Sequence, residues 1–278
     1  MSYWKDRAFE QQKLLLDKTI EETNSHLASV YKNSMREVER DMKSLYLDLQ
    51  AQSEDGKVKI NDLYRYNRYW ELRQDINSKL QSLGEKEIKM VDRALTLQYY
   101  KVQDYFNKNP KFMAKTERGI TKVVSSIPVD LNSPIVSENA EAVVNSVWCA
   151  DGKYWSERVW EHKEKLQADV EQGLLDTITR GVGPDELTKT LMEDFNKGFH
   201  TAQTLVRTEL THVYTQAAAE RYQNAGCEFY EVLSAQSDDE CYDMNGAVIR
   251  FSEMIEGENA PPFHPNCRCT ILPVIGGR

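Results

Sequence analysis

The sequence lacks any run of about 18 consecutive apolar residues, which excludes a conventional membrane-spanning helix. Its first residues carry acidic side chains and no apolar segment closed by a small-residue cleavage site, so we expect no secretory signal. Only five cysteines occur among 278 residues. An odd number of cysteines without a secretory signal argues against a disulfide framework and predicts an intracellular origin. The length is sufficient for one large domain or two smaller ones.

Motifs of several common enzyme families are also missing. The sequence contains no glycine-rich loop of the P-loop type, no Gly-x-Ser-x-Gly and no His-Glu-x-x-His. The acidic group Asp238, Asp239, Glu240 and Asp243 lacks the glycine and the terminal glutamate of a regular calcium loop, which favours a solvated acidic turn. These absences predict a protein that is not an enzyme.

Positive charge is scarce in the second half of the chain. The net charge is −9, but residues 1–130 carry +3 and residues 131–278 carry −12, while the segment 57–122 carries +7. This asymmetry predicts different partners for the two halves. The segment 57–122 is the most suitable for phosphate binding, although a solvated basic face explains the same pattern. The candidate contacts to double-stranded DNA are Arg65, Arg68, Arg73, Lys111, Lys115, Arg118 and Lys122.

Glycine and proline are absent from residues 5–52, which predicts one long helix. Apolar side chains recur in it at alternating spacings of four and three residues, as in a heptad seam. We expect this seam to pack against helices predicted at 60–82 and 85–107, with self-assembly as the alternative. The seam consists of Tyr31, Met35, Val38, Met42, Leu45 and Leu49.

The predicted fold class is α+β, a mostly helical chain with long N-terminal helices and a small β-rich C-terminal lobe that carries a Cys/His cluster. Prolines and short apolar runs in 110–135 indicate an irregular stretch with one short strand, and further helices are predicted at 137–149, 154–179 and 200–224. Alternating apolar residues after Gly226 indicate strands. The predicted domains are a helical domain at 1–125, a linker at 126–136, and a second domain at 137–278 with the β-rich lobe at 226–278.

Four potential metal ligands lie in the last forty residues: Cys241, His264, Cys267 and Cys269. One histidine with three cysteines is an accepted ligand set for zinc. The familiar spacing of a zinc knuckle is Cys-x2-Cys, but Met244 stands where a second cysteine would follow Cys241. A Cys-x-Cys pair is unusual for chelation, and Cys269 joins the site only if the chain bends there. Three interpretations therefore stay open, namely a zinc site, a buried Cys/His cluster without metal, and an oxidised cysteine pair.

The C-terminal residues resemble a known family. An Arg-Thr-Glu-Leu run at 207–210 precedes an alanine-rich helix, and the chain later continues with Pro-Pro-Phe-His-Pro-Asn-Cys-Arg-Cys at 261–269. This pattern resembles the phage Mu F-like minor head protein family over about 165–275. The residues that carry the resemblance are Arg207, Thr208, Glu209, Asp238, Gly246, Pro262, His264, Pro265, Asn266, Cys267, Arg268 and Cys269.

The resemblance implies a low-copy, non-enzymatic minor head protein of a tailed phage or prophage. It implies association with the portal protein during head assembly in the bacterial host cytoplasm, and a final location in the virion. Further partners considered with it are the scaffold, the major capsid protein and packaged or ejected double-stranded DNA. An alternative from another class is an enzyme acting on nucleic acid or protein through Arg207, Glu209 and His212, or through the Cys/His cluster.

Overall fold

The computed structural model describes residues 3–52, 68–116, 118–180, 183–235 and 240–276. Most of these residues are helical, and none of the helices combines the length and apolarity that spanning a bilayer requires. The α-helices are α1 (Tyr3–Gln52), α2 (Arg68–Lys108), α3 (Pro134–Val144), α4 (Trp155–Arg180) and α5 (Pro184–Asn224).

One mixed sheet completes the fold. Its strand order is β2-β1-β5-β3-β4; β1 and β5 are parallel, and the other neighbouring pairs are antiparallel. The predicted α+β class is confirmed, with three of the strands in the C-terminal region. The strands are β1 (Lys111–Thr116), β2 (Thr121–Ser125), β3 (Phe229–Leu233), β4 (Val248–Arg250) and β5 (Thr270–Ile275).

The contacts group the chain into two compact units, each assembled from segments distant in sequence. The sheet unit comprises Met1–Thr23, Val91–Trp155 and Thr204–Arg278, and it contains all five strands. The helical unit comprises Asn24–Met90 and Ser156–Gln203. These units differ from the division into 1–125, 126–136 and 137–278, because α1, α2 and α5 each contribute residues to both units.

The predicted seam of α1 is buried in the helical unit, except for Met35, which is half-buried. Within this seam, Tyr31 contacts Glu87 of α2, Lys163 of α4 and Phe199 of α5. The seam therefore belongs to the core of this unit, as expected from its spacing.

Two predicted helix boundaries are wrong, because the glycine near each of them lies inside a continuous helix and packs against a neighbouring side chain. The helices expected at 60–82 and 85–107 are continuous from 68 onward, and a Cβ on Gly84 would lie 2.6 Å from Cζ3 of Trp160. Gly198 lies inside α5 against Leu166 and Tyr31, so the helix that Pro184 begins continues without a break through the separate start predicted at 200. A glycine that admits a neighbouring side chain is tolerated in a helix interior despite its weak propensity.

The stretch 110–135 is more regular than predicted. Strands β1 and β2 pair antiparallel over its first half, and the predicted linker at 126–136 already contains the start of α3. Proline occupies the first turn of α3, where a missing backbone N–H removes no helical hydrogen bond. The helix ends at Val144, five residues before the predicted end.

Candidate metal centre and its surroundings

The segment 261–269 has no regular secondary structure and is fixed to two helices of the sheet unit. Asn266 donates its backbone N–H to Thr208 Oγ1 at 3.1 Å, and its side-chain amide donates to Thr204 Oγ1 at 3.2 Å. Gln12 Nε2 donates to the Cys269 carbonyl at 3.0 Å. Asn266 has a φ of 62°, a conformation that asparagine tolerates better than most residues. These bonds position the residues on either side of Arg268.

Three cysteines meet in a buried cluster. The Sγ atoms of Cys241, Cys267 and Cys269 all lie within 4.8 Å of one another, and each residue is at most 4% exposed. The Sγ atoms of Cys241 and Cys269 are 3.0 Å apart, and all three thiols are free. Cys267 and Cys269 both lie in the irregular segment that precedes β5.

The thiols of this cluster differ in acidity. A hydrogen bond from the Cys269 side chain lowers the pKa of Cys267 to about 6; burial opposes this shift, and hydrogen bonds from the backbone act in the same direction as Cys269. The same hydrogen bond raises the pKa of Cys269, and burial raises the pKa of Cys241. At neutral pH the negative charge therefore resides on Cys267, and a thiolate is the form that binds metal.

His264, the fourth predicted ligand, is not a member of the group defined by the three sulfur atoms. Its Nδ1 lies 2.9 Å from the Pro265 carbonyl, so this nitrogen carries the proton and donates. Its Nε2 is buried and has no hydrogen-bond partner within the described residues. A histidine whose Nδ1–H is held by a carbonyl while Nε2 keeps its lone pair has the tautomer typical of metal ligands.

The donor chemistry of these residues fits zinc. Thiolate and neutral imidazole are its preferred ligands, and the three sulfur atoms are already gathered and buried. The imidazole nitrogen is a buried acceptor without a partner in the described part of the chain. The arrangement could therefore hold a metal ion without exposing new polar groups.

A second polar cluster follows the Arg-Thr-Glu run on α5. Trp148 Nε1 donates to Glu209 at 3.0 Å, and the Trp148 ring stacks on His212 with 5.2 Å between centroids. His212 Nδ1 lies 2.8 Å from Glu256, which also accepts from Gln216 at 2.7 Å. Sequence reasoning singled out Glu209 and His212 but missed the other residues. The helical spacing of His212 and Gln216 was the available signal for a shared face.

The surroundings of His212 argue against its use as a catalytic base. Its Nε2 lies 2.9 Å from Ser146 Oγ and 3.1 Å from the Val143 carbonyl. Ser146 Oγ itself donates to that carbonyl, so Nε2 must carry a proton to satisfy its neighbours. Burial acts to lower the pKa of His212, but Glu256 and then Glu209 and the Val143 carbonyl more than offset this and raise it. A buried, protonated imidazole between a carboxylate and a carbonyl holds three chain segments together.

Further residues of the family motif differ in their surroundings. Gly246 has a φ of +88° and donates its backbone N–H to Val232 at 2.8 Å, which ties the turn before β4 to β3. Asp238 lies outside the described residues. Arg207 is half-buried and Arg268 is exposed, and both line one cavity in the sheet unit.

The seven predicted DNA contacts belong to different units. Arg65 and the side chain of Arg68 lie outside the described part of the chain. Arg73, in the helical unit, forms an ion pair with Glu171 at 2.9 Å, which leaves it poorly suited to bind phosphate.

The remaining four predicted contacts surround the β1–β2 hairpin of the sheet unit. Lys115 pairs with Glu231 of β3, so its charge is already balanced. Only three of the seven side chains are exposed there and without an ion pair in the described chain: Lys111, Arg118 and Lys122.

The fold and the site define an α+β protein whose C-terminal region carries a buried thiol cluster and an asparagine-anchored loop. Residues 168–272 match the family model described as Phage Mu protein F like protein. The resemblance predicted from the sequence is thus confirmed for this part of the chain. Comparison with curated proteins found no match, and neither did comparison with solved structures.

Proposed function

We propose that this chain is a minor head protein that acts in head morphogenesis of a tailed phage or prophage. The observation that carries the proposal is the family match over residues 168–272. The structure supports it through the motif residues, since Thr208 and Asn266 are 58 residues apart in sequence and form a hydrogen bond. The motif thereby acts as a framework that fixes the C-terminal loop on α5.

The portal protein is the proposed direct partner, with the scaffold and the major capsid protein as further head components. The experiment is co-purification of a tagged full-length chain from immature and assembled heads. We expect a few copies per head, and none in control heads assembled without the portal protein. Equal incorporation into portal-free heads would contradict portal association. Absence from every head preparation would contradict a role in head morphogenesis.

We propose that the cysteine cluster is a structural zinc site. Cys241, Cys267 and Cys269 would supply thiolates and His264 would supply Nε2. A zinc ion in such a closed four-ligand site crosslinks chain segments and activates no water. In this chain the zinc ion would join the 3₁₀ helix at Glu240–Met244 to the loop before β5.

Elemental analysis of the full-length protein tests this site. We expect about one zinc per chain, lost in Cys241→Ser. Cys227→Ser is the matched control, because burial raises the pKa of that thiol to about 12 and it is not part of the cluster. A zinc-free wild-type protein with thiols that react freely with a labelling reagent would establish a cluster without metal.

We also propose that the chain contacts double-stranded DNA. The support is the exposed positive charge of Lys111, Arg118 and Lys122 on the β1–β2 hairpin. Binding through these residues should weaken steeply with salt, and neutralising all three to Gln should remove most of that dependence. Affinity that is independent of salt would contradict it. Metal-dependent nicking of supercoiled plasmid by the purified protein would instead favour the enzyme alternative.

A further inference from the structure

A cavity of about 290 Å³ lies beside the cysteine cluster within the sheet unit. Helix α1 forms one wall, α5 forms another, and the loop before β5 closes it. This size approaches the lower end of small-molecule pockets in proteins. The polar and charged side chains that line it are Gln12, Lys13, Asp17, Arg207, Thr211 and Arg268.

The cavity carries an excess of positive charge. Lys13, Arg207 and Arg268 face it with Asp17 as the one carboxylate among its lining residues. Neither guanidinium forms a hydrogen bond or ion pair with any residue that the structure describes. Burial lowers the pKa of Arg207, the adjacent positive charge of Arg268 lowers it further, and Asp17 acts in the opposite direction. Two like charges are therefore held close together, and Asp17 offsets only part of the positive charge of Lys13, Arg207 and Arg268.

The backbone on which these arginines stand is fixed. Arg268 lies between the buried Cys267 and Cys269, in the loop anchored by Asn266 and Gln12. Arg207 belongs to α5, and its carbonyl accepts a hydrogen bond from Thr211 at 2.8 Å. Two planar guanidinium groups on rigid supports form a preorganised receptor for a tetrahedral oxyanion, because each offers paired N–H donors.

We propose that Arg207 and Arg268 bind a phosphate group in this cavity, with Lys13 adding charge at its rim. Neither residue was among the predicted DNA contacts, and the proposal does not depend on the role in head assembly. The phosphate can come from two sources, a small phosphorylated molecule or the terminal phosphate of a nucleic acid. Both present the same chemistry to the arginines.

Calorimetric titration of the full-length protein tests the proposal and separates the sources. The probes are sodium phosphate at constant ionic strength and a short DNA duplex with either 5′-phosphate or 5′-hydroxyl ends. Saturable binding of phosphate supports the site. Preferential binding of the phosphorylated duplex assigns it to nucleic-acid ends, and phosphate binding without that preference assigns it to small molecules. No binding of phosphate or of phosphorylated duplex overturns the proposal.

Charge variants supply a two-sided control. Arg207→Gln and Arg268→Gln should each weaken phosphate binding about tenfold, since each removes a charge-assisted donor pair. Asp17→Asn should strengthen it, a gain that a misfolded protein would not show. Arg93→Gln removes an equal charge from an exposed position of α2 and should leave affinity unchanged. If the arginine variants lose bound metal while phosphate affinity stays constant, the arginines serve the thiolates and the proposal fails.

Discussion

Two buried polar clusters, one in each unit, differ in whether charges of opposite sign balance each other within the cluster. In the helical unit, Lys163 pairs with Glu87 at 2.8 Å, and Tyr31 donates to the same carboxylate oxygen at 2.8 Å. In the sheet unit, the thiols of the cysteine cluster contact chiefly one another, and nearby His264 keeps a buried nitrogen without a described partner. In the first cluster, the positive charge of Lys163 offsets the negative charge of Glu87. In the second, three sulfur atoms lie together as potential metal ligands.

The difference indicates how to distinguish structural polar burial from a binding site. A buried ion pair of opposite charges needs no further ion to balance it, although its net contribution to stability is small. Several soft ligands gathered in one buried cluster could hold a cation, which would complete the cluster. The clusters should accordingly respond to different perturbations.

The largest effect is expected from breaking the ion pair of the helical unit. Lys163→Met should lower the free energy of unfolding by about 3–5 kcal/mol, because it leaves the carboxylate of Glu87 buried and uncompensated. The side chains of Lys163 and Glu87 are only 4% and 0% exposed, so water cannot replace the lost partner. Chemical denaturation of the full-length protein measures the change.

The double variant Lys163→Met, Glu87→Gln is the control for this prediction. With both charges absent, most of the lost stability should return. A single variant that costs less than about 1 kcal/mol, or a double variant as unstable as the single one, would show that the pair is not a self-contained unit.

A somewhat smaller effect is expected at the cysteine cluster, and only when metal is removed. A chelator should destabilise the wild-type protein by about 3 kcal/mol relative to protein with zinc at a hundredfold excess over its dissociation constant. Cys241→Ser should be insensitive to the chelator, whereas Lys163→Met should respond as the wild type does. Identical unfolding curves with and without chelator would remove the contrast between the two clusters.

The sequence alone predicted those parts of the fold that depend on local pattern. The absence of glycine and proline with a heptad seam predicted α1, and alternating apolar residues predicted β3 and β5. The hairpin of β1 and β2 was missed, because β1 is held by β5 over a separation of more than 150 residues. The break predicted between the helices at 60–82 and 85–107 is wrong for a similar reason, since Trp160, which packs on Gly84, lies far away in sequence.

The candidate site was predictable in its ligand types but not in its anchoring. Cys241, Cys267 and Cys269 could be named because soft ligands are few and lie close in sequence. Nothing local indicated that Gln12 would bind the Cys269 carbonyl or that Glu256 would face His212. Such partners depend on which segments the tertiary fold brings together, and a single sequence does not encode them as a pattern.

The smallest effect is expected at His212, whose buried imidazole lies between the Glu256 carboxylate and the Val143 carbonyl. The pKa of His212 is raised in the folded protein, so its contribution is fully present below the pKa of the unfolded chain and is lost as the pH rises through the folded value. At pH 6, His212→Gln should cost about 1.5 kcal/mol, because charge-assisted hydrogen bonds to Glu256 and Val143 are lost. The free-energy cost of the substitution should shrink toward pH 9, and titratable groups common to both proteins cancel in the difference between their unfolding free energies.

Urea unfolding of both proteins between pH 6 and pH 9 measures this pH dependence, and Glu256→Gln is expected to flatten it. A cost that stays constant over this range would mean that His212 is neutral when folded, and that the raised pKa and the bridging role are both wrong.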